Sequence, residues 1–262
     1  MAREPSLKEQ VDALDRSIGV LDLQGWTLVE VLGSDAETWL NDLVTANVAT
    51  LPVGEAIRSL LLGPTGRIRA DLLIHRSALA FLLLQSPGQP RRIDDLLAPY
   101  VLSSDVVLAP SSWTPAIRPA RSGPWVAPPG APDGVPVGAD AFESWRIRCG
   151  IPRFPVDLDE ASLPAEAGLD EAPVVDRDKG CYLGQESVAK VRNLGHPARL
   201  VVAVEAPESV TQGQEVTDQK GPVGRLTSVD ALGGGTAALA RIRWEARDTA
   251  LSTAAGVPLT RR

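Results

Sequence analysis

The chain is poor in the residues that carry chemistry unaided: two cysteines (Cys149 and Cys181), two histidines, two tyrosines and one methionine in 262 residues. Two cysteines cannot make a disulfide framework, so a reducing compartment is the simpler reading. Nor can they alone complete a four-cysteine metal site. Long apolar runs are also missing. The longest, such as 78–84, have strand length, well short of the roughly 20 residues a membrane helix needs. The N-terminus lacks a basic stretch leading into an apolar one. These absences predict a cytoplasmic protein with no membrane partner. Positive charge is scarce as well, 26 Lys+Arg against 33 Asp+Glu for a net −7, which argues against direct binding of nucleic acid.

What is present suffices for a core: 44% hydrophobic and 23% charged residues, near globular averages. Of the basic residues 22 are Arg and only four are Lys, at 8, 179, 190 and 220, so each surviving lysine draws notice. The patterning predicts an α+β fold. A helix is expected over 6–16 and strands over 18–23 and 26–32. Ser34 with Glu37 has capping-box spacing ahead of a helix over 35–45. Strands over 57–62 and 68–76 flank Gly63-Pro64-Thr65-Gly66, a hairpin signal, and a third strand is expected over 78–85.

Eleven of the 22 prolines fall between 87 and 136, predicting a largely looped connection. Within it a helix over 91–97 and a strand over 105–108 are expected. A helix over 140–149 follows, then a loop to about 175. Strands over 199–205, 221–229 and 236–243, split by turns such as Gly233-Gly234-Gly235, predict a small C-terminal β-barrel or sandwich. The expected division is 1–110, 111–196 and 197–262.

Rare residue types crowd into 176–196. These 21 positions hold one of the two Cys, one of the two Tyr, one of the two His and two of the four Lys. Between Asp176 and Arg199 basic residues outnumber acidic ones five to three, the profile of a binding edge on an acidic protein. Gly180 and Gly184 permit a tight path, and 185–191 reads as helical. That arrangement sets the Cys181 thiol near a helix N-terminus and near Lys179, and both favour the thiolate. The plainer alternative is a small buried apolar residue, as most free cysteines are. Cys149, His75 and His196 read as structural.

Lys179-Gly180-Cys181-Tyr182-Leu183-Gly184-Gln185-Glu186 resembles the K-G-C-Y-x-G-Q-E signature of the YgfZ family, folate-binding relatives of the glycine cleavage T-protein (aminomethyltransferase). Four further blocks resemble the family in order: 39–48, 62–72, 145–152 and 223–228. The resemblance implies α+β domains around a central tetrahydrofolate cavity and a C-terminal β-barrel. It also implies a part in assembly or repair of iron–sulfur clusters, including those of tRNA-modifying enzymes, with no securely assigned turnover. The expected partners are iron–sulfur assembly proteins or client enzymes.

By motif match Cys181 is the expected functional thiol and transient iron–sulfur ligand, with no resident metal. Lys179, Tyr182, Gln185 and Glu186 support it. Asp71 stands at or beside the position where T-proteins use an Asp near folate N10. Arg148 stands where their R-L-E-A-G motif has a Glu that anchors the pterin. A guanidinium offers only donors, so Arg148 is expected to meet the pterin ring elsewhere or to pair with the glutamate tail, with Lys190 and Arg192 as further folate contacts. Two enzymatic alternatives are a folate-dependent aminomethyltransferase and a cysteine-nucleophile transferase or hydrolase, which needs a base near Cys181.

Overall fold

The computed structural model describes residues 3–111, 115–120, 134–232 and 234–262. The middle of the proline-rich connection and Gly233 therefore lie outside the described residues. Helix α1 (Leu7–Asp15) starts at Ser6, whose hydroxyl and backbone N–H exchange hydrogen bonds with Glu9 in a capping box. Strand β1 (Gly19–Leu21) pairs in parallel with β7 (Val135–Val137), the chain's return from the connection.

Strands β2 (Thr27–Leu32), β3 (Ala56–Leu62), β4 (Ile68–Arg76), β5 (Phe81–Gln85) and β6 (Val107–Pro110) form one antiparallel sheet, ordered β3-β4-β5-β2-β6. Period-2 alternation sends Ile57, Leu61, Ala70, Leu72 and Ile74 to one face, beneath α2 (Ala36–Leu43) and α3 (Ile93–Leu97). The opposite face carries Leu60, Leu62 and Leu73 together with the polar Arg58 and Asp71. Part of it is covered by α1 and α4 (Ala139–Arg148), and part by the segment from Phe154 to Val188.

Ser34 and Glu37 do not form the expected capping box. Asp35 holds the N-cap without a side-chain bond to the helix, its carboxylate accepting from the Asp105 N–H instead, while the Ser34 hydroxyl donates to Asp105 at 2.8 Å and Glu37 pairs with Arg76. A carboxylate about 70 residues away in sequence outcompeted the local cap.

After a long loop with one 3₁₀ turn (Pro164–Ala167) comes α5 (Gln185–Leu194). Strands β8 (Arg199–Glu205), β9 (Glu215–Asp218), β10 (Gly221–Val229), β11 (Ala237–Arg243), β12 (Leu251–Thr253) and β13 (Pro258–Arg261) then close into a barrel, ordered β10-β11-β8-β13-β12-β9, with its own apolar core. Closure decides between the two expected forms in favour of a barrel, and removes free sheet edges. Two polar joints fasten it. Arg146 of α4 and the hydroxyls of Thr227 and Ser228 converge on buried Asp157 (Arg146 at 2.8 Å), and Arg241 of β11 bridges Asp159 and Glu166.

Candidate functional site

The run 179–186 is clamped between two parts of the sheet domain. On one side, the C-terminus of α2 and the following turn present carbonyls that the helix itself cannot satisfy. The Lys179 ammonium donates to those of Val44 (2.6 Å), Ala46 (2.7 Å) and Asn41, and the Leu183 N–H donates to Asp42 at 3.2 Å. Burial pushes the Lys179 pKa down to about 8, against the pull of Asp176 and Asp42.

On the other side lies the β3–β4 turn. Gly184 has φ +84°, and a Cβ there would stand 2.6 Å from the Gly63 carbonyl oxygen. Only glycine fits so close a backbone crossing. Tyr182 is buried with Leu60, Leu62, Phe154 and Val188; its burial pushes the phenol up. The Lys179 ammonium lies 5.5 Å from its ring centroid. Gln185 accepts from the Tyr182 N–H at 3.3 Å and so closes the turn into α5.

Cys181 is different. It is exposed, makes no hydrogen bond, and follows Gly180, whose φ is +102°. It sits four residues ahead of α5 as expected, but Lys179 does not serve as its cation, because the ammonium is directed into three carbonyls. Glu186, Lys190 and Arg192 are exposed on α5.

Asp71 belongs to a second place, a cleft on the far face of the sheet. Arg58 binds both of its oxygens, through Nε at 2.9 Å and Nη2 at 2.6 Å, and also donates to the Pro152 carbonyl. Trp26, Phe142, Arg146 and Arg153 complete the wall. The closed part measures about 50 Å³, and about 430 Å³ is free of atoms when the open mouth is included. A cavity that swallows benzene measures about 150 Å³, so only a ring edge fits the closed part. The lining suits reduced folate, the group expected from the sequence resemblance, in two respects: aromatic and apolar walls for a flat ring, and guanidinium groups for a carboxylate tail. Asp71 is the only carboxylate among the described lining residues, and it already receives two donors.

The expected folate set is thus divided. Arg148, the last residue of α4, is exposed beside the barrel residues Ala203 and Glu205 and does not line the cleft with Asp71, whereas Arg146, Ile151 and Pro152 of the same block do. Helical geometry explains the separation, since positions two apart point to different sides of α4. Lys190 and Arg192 do not line the cleft either. Arg58 was missed by sequence reasoning, although the hairpin offered a signal. With the turn at 63–66, Arg58 opposes Leu73 and Leu60 opposes Asp71, so an Arg and an Asp lie diagonally on one face.

Neither histidine supplies Cys181 with a base. His196 stacks on Trp244 (centroids 4.5 Å, planes 4° apart), and its Nδ1 lies 3.0 Å from the Pro197 carbonyl. His75 is buried in the sheet, 2% exposed. No cluster of three or more metal-ligating side chains exists among the described residues, and no described helix is long and apolar enough to cross a membrane.

Comparison with known proteins agrees with this architecture. Residues 2–112 match the GCVT N-terminal domain family. A chloroplastic protein of Arabidopsis thaliana with a provisional transferase name is 23% identical over 84% of this chain, which spans only 63% of that protein. The aminomethyltransferase of Thermotoga petrophila is 21% identical over 85% of this chain and 77% of its own length. The crystal structure of the glycine cleavage system aminomethyltransferase T from Bartonella henselae superposes with a TM-score of 0.78 at 18% identity, covering 98% of this chain and 88% of that one. The chain has the aminomethyltransferase T fold. These matches support the T-protein superfamily and do not single out its YgfZ branch.

Proposed function

We propose that this chain is a YgfZ-like accessory protein: it binds a reduced folate at the cleft beside Asp71 and presents Cys181 to iron–sulfur assembly proteins or their client enzymes, tRNA-modifying ones included. The observation that carries this reading is the contrast within 179–186. Lys179, Tyr182, Gly184 and Gln185 hold the loop in place, while the Cys181 side chain adds nothing to that hold and faces solvent. A thiolate is both nucleophile and metal ligand. One thiol per site leaves the other ligands of a cluster to the partner, so the role is transient.

Replacing Cys181 with Ala tests the reading. In cells that depend on this protein, the variant accumulates normally and the activity of iron–sulfur enzymes falls to the level of cells without it. Full activity with Cys181→Ala would sink the proposal.

The aminomethyltransferase reading is favoured by the names of the relatives. It needs a carboxylate at the transfer centre with freedom to act, and here Arg58 holds both oxygens of Asp71. We expect no glycine cleavage when the protein is assayed with a lipoylated carrier protein, and turnover there would reverse the ranking.

A further inference from the structure

We propose that Arg153 is the carboxylate-binding residue of the cleft beside Asp71. The inference rests on the reading of that cleft as a folate site and names the group that would hold the acidic tail.

Three guanidinium groups line the cleft; Arg146 is engaged through Nε and both Nη atoms, and Arg58 through Nε and Nη2. Arg58 is bound to Asp71 and to the Pro152 carbonyl. Arg146 is bound to Glu143, Asp157, Ser228 and the Ile151 carbonyl.

Arg153 is anchored by its backbone, whose N–H donates to Asp157 at 2.9 Å and whose carbonyl accepts from Val156 and Asp157. Its guanidinium is held far less. Nη2 lies 3.6 Å from Glu143 Oε2, beyond hydrogen-bond length, and that oxygen already accepts from Arg146 at 2.7 Å. Nε is buried with no partner. A buried N–H without an acceptor is costly, and once the side chain turns toward the mouth a carboxylate meeting the guanidinium edge side-on would satisfy it together with an Nη.

The side chain is 33% exposed, so a ligand can reach it from the mouth. Trp26 and Phe142 on the same wall offer surface for a ring. The ligand class is therefore a flat aromatic molecule bearing a carboxylate, and in a folate the glutamate moiety meets that description.

Calorimetric titration of the full chain tests this with three probes: tetrahydrofolate, p-aminobenzoylglutamate, and 6-methyltetrahydropterin, which lacks the tail. Arg153→Gln is expected to weaken tetrahydrofolate at least tenfold and leave 6-methyltetrahydropterin unchanged, while Arg153→Lys recovers part of the loss. A matching thermal melt establishes that the variants are folded. Wild-type affinity for tetrahydrofolate in Arg153→Gln would overturn the proposal and leave the folate reading standing. Arg153-dependent binding of p-aminobenzoylglutamate without binding of either reduced pterin would support the proposal and sink the folate reading. A wild type that binds none of the three would overturn both.

Discussion

At the scale of single residues, the loop at 179–186 separates structural side chains from an expendable one. Gly184→Ala forces a Cβ to 2.6 Å from a backbone oxygen at a φ of +84°, and neither atom is the end of a flexible side chain. We expect a loss of about 2 kcal/mol or more in urea unfolding. Cys181→Ala should change stability by no more than about 0.5 kcal/mol, the ordinary range for surface positions. His75 gives a pH signature. Burial lowers its pKa from 6.5, opposed by the backbone and charge of Glu55, so the fold prefers the neutral ring. Its contribution is complete above the unfolded value of 6.5 and is lost as pH falls through the lowered folded value. Wild-type stability should accordingly fall more steeply than that of His75→Gln below about pH 6.5, by up to about 1.4 kcal/mol per pH unit. Equal slopes would contradict this. The exposed thiol and its glycine-flanked turn were legible in the sequence. The direction of Lys179 was not, because its acceptors lie more than 130 positions away in the chain.

At the scale of elements, one contact couples the motif to a helix end. Lys179 caps the carbonyls that α2 and its following turn leave open. Lys179→Met removes the donor, and we expect a cost of about 2 kcal/mol or more, with faster amide exchange at Val48, whose N–H is held by the Asn41 side chain in the same turn. Unchanged exchange would mean that the cap is not structural. Most elements followed from local pattern: Gly63-Pro64-Thr65-Gly66 marked the hairpin, and the spacing of Trp39, Leu40 and Leu43 marked α2. The helix-capping role of Ser34 was misread because Asp105 is invisible to any local window.

At the scale of the whole molecule, the barrel is held to the sheet domain by buried charge. Asp157 is 1% exposed and takes an Arg146 donor at 2.8 Å with two hydroxyls of β10. Arg146→Met leaves that carboxylate without its cation, and a buried charge stripped of its partner typically costs about 3–5 kcal/mol. The urea midpoint should fall accordingly, whereas Arg148→Met, at an exposed position two residues on, should leave it nearly unchanged. The barrel was foreseen from β8, β10 and β11, each long enough to show a pattern. Strands β9, β12 and β13 have three or four residues and exist through closure of the ring.

The account turns on a thiol that is presented rather than packed, and alkylation of the native protein by iodoacetamide, followed by peptide mapping, reads this directly. Cys181 should label fully in the folded state, with the thermal midpoint unchanged. Labelling of Cys181 only after denaturation would contradict the account.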